Sequence, residues 1–263
     1  MVQGGVLDQE KEDEMRLKGK VAIITGAARG LGAAYAVGFG KEGAKIVIGD
    51  VLDGKDTVDA VEKSGGEAIF VRTDVTKQDQ CDGLAHAAIN RFGSIDILIN
   101  NAAGGYAAGK PMKPFTEITT EEWMRVMEID TAGPFHCTKA VFPHMRDKGG
   151  KIINISSATI FEGITGMPHY VAAKGAVMAF TRAMARELGD YNINVNTIAP
   201  GFTHTQAVDS KFDALDKIQL PLKCIKKPAY PEDLVGTALF LATDDSKFIT
   251  GQLIVHDGGM SFH

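Results

Sequence analysis

Cysteine is scarce, with Cys81, Cys137 and Cys224 the only three in 263 residues. An odd, widely spaced set offers neither a disulfide framework nor a paired metal motif, and reads as reduced thiols in a reducing compartment. There is a single tryptophan, and no basic run interleaved with aromatics, which argues against a nucleic-acid surface. No stretch approaches the roughly 18 consecutive apolar residues of a membrane span. Met1 to Lys20 carries Asp8, Glu10, Glu12, Asp13 and Glu14 without an apolar core, unlike a signal or transit peptide. His86, His136, His169 and His256 show no paired spacing, so no metal is expected. These absences together predict a soluble, cytoplasmic protein with no nucleic-acid or membrane partner.

What is present is ordinary for a globular chain: 44% apolar and 23% charged residues, with a net charge of −5. The length suits one large α/β domain. Residues 1–16 are polar and read as a flexible arm, leaving a single domain over residues 17–263. Seven short, Ile/Val-rich runs stand out: Val21–Thr25, Lys45–Gly49, Ala68–Arg72, Ile95–Asn100, Lys151–Ser156, Asn194–Ile198 and Gln252–Val255. Consecutive apolar positions of this length read as strands buried on both faces. Between them, Gly32–Glu42, Asp53–Ser64, Lys77–Arg91, Thr120–His144, Tyr170–Asp190 and Pro231–Leu241 have helical spacing. The alternation predicts a single-domain, doubly wound, Rossmann-type α/β fold: a parallel seven-stranded sheet with helices on both faces. Gly104–Thr119 reads as a loop. Thr203–Tyr230 reads as a long insertion with one or two short helices, of the kind used as a lid or binding loop.

Thr25-Gly26-Ala27-Ala28-Arg29-Gly30-Leu31-Gly32 joins the first strand to the first helix. Glycines there permit positive φ and close backbone approach, and the helix start offers free N–H groups to a pyrophosphate. Asp50 ends the second strand, where a carboxylate can accept from adenosine ribose hydroxyls and repel a 2′-phosphate, favouring NAD(H). Arg29 is the counter-signal, a cation that could meet that phosphate. Tyr170 and Lys174 stand at i,i+4 on one helix face. An ammonium held beside the phenol is expected to bring its pKa down toward neutrality, giving a proton acceptor. Ser157 follows the fifth strand, at the sheet edge where such folds bind ligands.

These residues resemble the short-chain dehydrogenase/reductase family, from about Leu17 to the C-terminus. TGAARGLG, with Gly26, Arg29, Gly30, Leu31 and Gly32, is similar to its cofactor turn. Asp74-Val75 is similar to its adenine-contacting pair, and Asn100-Asn101-Ala102-Ala103 to its NNAG motif. Pro200-Gly201 with Thr203 and Thr205 resembles the segment that holds the nicotinamide amide, and Asp257-Gly258-Gly259 the C-terminal signature. The resemblance implies that Tyr170 is the general acid/base, that Lys174 depresses its pKa and binds the nicotinamide ribose, and that Ser157 orients the substrate. It also implies a homodimer or homotetramer assembled through the fourth and fifth helices. Two departures stand out. Ala103 replaces the motif's Gly. Asp130 replaces the fourth active-site residue, an Asn whose backbone carbonyl holds a water in a proton relay; a carboxylate there can raise nearby pKa values. The NNAAG and IDT spellings are also similar to 2,4-dienoyl-CoA reductases, which do not rely on the Tyr-x-x-x-Lys arrangement.

Ile160, Phe161, Ile164, Met167 and Phe202 are the expected substrate contacts, mostly apolar and without an arginine clamp. They suggest a lipophilic small-molecule alcohol or ketone, aryl or steroid-like. Two other readings stand beside an NAD-linked alcohol dehydrogenase: an NADP-linked 3-ketoacyl-type reductase, and a catalytically silent NAD-binding regulator.

Overall fold

The computed structural model describes residues 15–104, 112–205 and 212–262. Of the expected arm, residues 1–14 lie outside that set. Arg16 is tied to Glu42 through its guanidinium at 2.6 Å and its backbone N–H at 3.2 Å. Leu17, next to it, is already in the core.

Seven parallel strands form one sheet: β1 (Val21–Thr25), β2 (Lys45–Asp50), β3 (Glu67–Arg72), β4 (Ile97–Asn100), β5 (Gly150–Ile155), β6 (Ile193–Pro200) and β7 (Leu253–His256). Their order is β3-β2-β1-β4-β5-β6-β7, so the winding reverses between β1 and β4. β1, β2, β4, β5 and β6 are buried nearly throughout, as continuous apolar runs require. β3 and β7 are only partly buried, contrary to the two-sided burial expected from their composition. They are the edge strands, each paired on one side only.

Helices α1 (Gly30–Lys41), α2 (Lys55–Lys63) and α9 (Pro231–Ala242) cover one face. That core is built on Ile24, Ile48, Ile99, Tyr35, Phe39 and Leu234. Helices α3 (Gln78–Phe92), α5 (Gly133–Met145) and α7 (Pro168–Glu187) cover the other, with Ile23, Val47, Leu98, Leu84, Val141 and Leu188. Burial of these apolar side chains, each contributing about 1.5–3 kcal/mol, is the main stabilising force of the sandwich. Cys81 and Cys137, far apart in sequence, meet in the second core with sulfurs 3.6 Å apart, as free thiols.

The expected continuous helix Thr120–His144 is broken. It runs as α4 (Thr120–Met127), a wide π turn (Glu128–Ala132), and α5. Pro134 has no N–H for the carbonyl four residues earlier, that of Asp130, so the regular ladder cannot pass through. Among the described residues, two further short α-helices stand at α6 (Thr159–Glu162), after β5, and α8 (Phe212–Gln219), inside the long insertion. No helix among the described residues is long and apolar enough to cross a membrane.

Candidate active site

The carboxyl ends of the strands border one cavity of about 830 Å³. It lies at the β1/β4 reversal, where neighbouring crossovers diverge and leave a crevice.

The Gly-rich turn forms one wall. Gly26 and Gly30 have positive φ, 64° and 61°. A Cβ on Gly26 would stand 2.6 Å from Ala102 Cα, and one on Gly32 2.4 Å from Gly26 O. Gly32 therefore packs tightly under the turn, while Gly26, Arg29, Gly30 and Leu31 line the cavity. The start of α1 has no side-chain cap and no acidic residue in its first turn. Its N–H groups and positive dipole end suit an anion such as a dinucleotide pyrophosphate.

Asn101 braces this wall. Its Nδ2 donates to the carbonyls of Thr25 and Gly26, both at 2.9 Å, and the N–H groups of Asn101 and Ala102 donate to Thr25 Oγ1 at 3.1 Å. Asp50, 8% exposed, borders the same cavity. Its carboxylate accepts the N–H groups of Ala28 and Leu52, each at 2.9 Å. It thus pins the glycine turn while keeping lone pairs for ribose hydroxyls. Asp74 and Val75 lie further along. Burial works against the Asp74 charge, but the backbone and hydroxyl of Thr76 hold its pKa below the usual range.

At the opposite end stand Ser157, after β5, and Tyr170 and Lys174 on the first turns of α7. Ser157 Oγ accepts from the hydroxyl of Thr159 at 3.0 Å. Lys174 Nζ donates to Ile155 O at 2.9 Å and lies 5.6 Å from the Tyr170 ring centroid. The expectation of a depressed phenol is not met. Burial pushes the Tyr170 pKa above its ordinary value; Lys174 and Ser157 oppose this, and the Asp130 carboxylate adds to it. Desolvation outweighs a single ammonium when the phenol is this deep. Burial also works against the Lys174 charge, but Asp130 and Tyr170 more than offset it, and its pKa is raised.

The C-terminal segment supports the remaining wall. Asp257 accepts the N–H groups of Gly259, Met260 and Ser261 at 2.7–3.1 Å. A Cβ on Gly201 would meet Asp257 Cβ at 2.6 Å, so this turn packs directly under Pro200-Gly201. Pro200, Gly201, Phe202, Thr203 and Thr205 all face the cavity.

Of the expected substrate contacts, Ile164, Met167 and Phe202 line the cavity; Ile160 and Phe161 do not. On α6 it is Thr159 and Glu162 that turn inward, three residues apart, which puts the two between them on the other faces. Sequence reasoning also missed Leu215, Ile218, Gln219 and Leu222. Their i, i+3, i+4, i+7 spacing was the available signal of an amphipathic helix. Glu162 sits half-buried; burial and then Asp257 raise its pKa, against the pull of Lys223.

The family model described as enoyl-(acyl carrier protein) reductase matches residues 26–261. Galactitol 2-dehydrogenase of Agrobacterium fabrum is 40% identical over 258 residues, covering 93% of this chain and 98% of that protein. The 7alpha-hydroxysteroid dehydrogenase of Escherichia coli is 35% identical, covering 94% and 96%. A crystal structure from Sinorhizobium meliloti 1021, assigned to the short-chain alcohol dehydrogenases, superposes with a TM-score of 0.87 at 31% identity, over 94% of this chain and 98% of that one.

Proposed function

We propose, since the chain belongs to the short-chain dehydrogenase/reductase family and is an oxidoreductase, that it moves a hydride between NAD(H) and a lipophilic secondary alcohol/ketone pair. The observation that carries this reading is convergence: Ser157, Tyr170 and Lys174 border the same cavity as the glycine turn and Asp50. The nicotinamide, when bound, supplies the hydride chemistry.

The chain's own residues supply the rest. In reduction, Ser157 holds the substrate oxygen and Tyr170 delivers its phenolic proton to that oxygen as the carbon gains the hydride. In oxidation the same oxygen of Tyr170 takes the proton back. Lys174 keeps a positive charge beside the phenol and a donor for the nicotinamide ribose. Asp50 favours the ribose hydroxyls of NAD and repels the extra phosphate of NADP; the exposed Arg29 is the feature favouring the alternative. Ile164, Met167, Phe202, Leu215, Ile218 and Leu222 form an apolar wall suited to a ring-bearing substrate. The exposed Trp123, Met124 and Phe135 lie on α4 and α5, the two pieces of the expected fourth helix, and fit assembly of dimers or tetramers through these and α7. The cytoplasm is the compartment that suits the three free thiols.

The test is oxidation of NADH and NADPH, side by side, against aryl ketones, steroid ketones, sugars and ketoacyl thioesters. Strong NADH-linked turnover of a bulky ketone is expected. Turnover confined to NADPH and thioesters would assign a ketoacyl-type reductase instead. Cofactor binding with no turnover on any carbonyl would leave a silent NAD-binding regulator.

A further inference from the structure

Asp130 carries a carboxylate in one of the most buried places in the protein, 0% exposed. Both its oxygens accept the Gly104 N–H, at 3.2 and 3.3 Å, and its Oδ1 lies 3.2 Å from Lys174 Nζ. The Lys174 side chain is itself 2% exposed, so this is an ion pair with almost no solvent screening. An ammonium has three protons. One goes to Ile155 O and one faces Asp130, which leaves one for everything on the cavity side.

We propose that Asp130 is a positioning residue that sets the pH at which Tyr170 works, by holding Lys174 charged while cancelling part of the field with which that ammonium favours the phenolate. The inference rests on the reading of Tyr170 as the acid/base. The groups facing Tyr170 make Asp130 the deciding one. From its own helix comes Lys174, from the π turn Asp130, and from the end of β5 the neutral Ser157. On α6, Glu162 answers to Asp257 and Lys223 instead. Burial holds the pKa of His169, beside Tyr170, below its ordinary value, with Lys113 lowering it too and Glu122 and Asp130 opposing.

The consequence is a phenol that stays protonated over a wide range. Ketone reduction, which needs the O–H, persists to high pH. Alcohol oxidation, which needs the oxygen as acceptor, rises late. The ratio of the two directions at any one pH is fixed by the overall equilibrium, so the signature is where the oxidation limb lies.

Asp130→Asn keeps an acceptor for the Gly104 N–H and removes the charge. The oxidation limb of kcat/KM against pH is expected to move down by about one to two units. Asp130→Glu keeps the charge and should leave the limb near its wild-type position. An Asn variant that loses rate equally at every pH, with no movement of the limb, would overturn the proposal and leave a structural role. The ionisation of Tyr170 can also be read without turnover, as tyrosinate absorbance with the Tyr170→Phe signal subtracted. Failure to turn over any carbonyl then counts against the functional reading, whereas an unmoved tyrosinate titration in Asp130→Asn counts against this one. If that variant does not fold, the wild-type titration decides: Tyr170 ionising below the ordinary tyrosine value of about 10 would sink the proposal.

Discussion

The two ends of the sheet use the same residue type for different purposes. At the amino end, Asp96 stands just before β4. Its carboxylate takes the Val21 N–H at 2.9 Å, the Ser94 hydroxyl at 3.1 Å and the Lys148 ammonium at 2.9 Å. Its backbone pairs with Val21 and Lys151, so one residue ties together the starts of β1, β4 and β5. At the carboxyl end, the Asp50 carboxylate takes two backbone N–H groups where Asp96 takes one, and it does so on a cavity wall. The amino end spends its polar groups on the fold. The carboxyl end holds a turn in place and keeps hydrogen-bonding capacity facing a cavity. Substitutions at the carboxyl end should therefore act on rate and binding, and those at the amino end on stability.

Tyr170→Phe is the strongest way to sharpen that contrast. It should lower turnover by about 10²–10⁴-fold while leaving NADH affinity and the melting temperature near wild type; retained turnover would remove Tyr170 from the mechanism. Gly32→Ala crosses the boundary, because its Cβ would stand 2.4 Å from Gly26 O and 2.7 Å from Ala27 Cα. We expect weakened cofactor binding and a stability loss of about 1–3 kcal/mol, measured by cofactor titration and denaturant unfolding.

Asp96→Asn should do the reverse, costing about 1–2 kcal/mol at neutral pH with unchanged kinetics. Burial opposes the Asp96 charge, but Lys148, the Val21 N–H and Ser94 hold its pKa below the usual value. A depressed carboxylate contributes stability above its unfolded pKa and loses it as the pH falls through its folded one. The gap between Asp96→Asn and wild type should therefore close in acid, and a gap that is constant with pH would break the assignment. The smallest effect is expected in the apolar wall of the cavity. Leu222→Ala should raise KM for a bulky ketone by a few-fold to about tenfold, whereas Ile160→Ala, outside the cavity, should leave it unchanged.

The glycine turn, Asp50, Ser157, Tyr170 and Lys174 were legible because each depends on a short stretch of chain: a strand, a turn, a helix start, an i,i+4 pair. The apolar wall of the cavity was half legible. Ile164 and Met167 lie where the linear reading expects them, but Ile160 and Phe161 do not, since a four-residue helix after β5 decides which side chains turn inward. The break between α4 and α5 was visible in Pro134, whose missing N–H leaves the Asp130 carbonyl without its helical partner.

By itself, the order of strands and helices in this chain determined a doubly wound parallel sheet, and the spacing of its motifs determined which residues gather at its carboxyl edge. Those are periodicities and separations, carried by neighbours in sequence. Only the tertiary structure decided that Asn101 clamps the turn at Gly26, that Asp257 packs beneath Gly201, and that Asp130 meets Lys174. It also decided that the Tyr170 phenol is raised and not lowered. Each of these depends on how far a side chain is withdrawn from water and which distant segment it meets there, and packing between elements settles both.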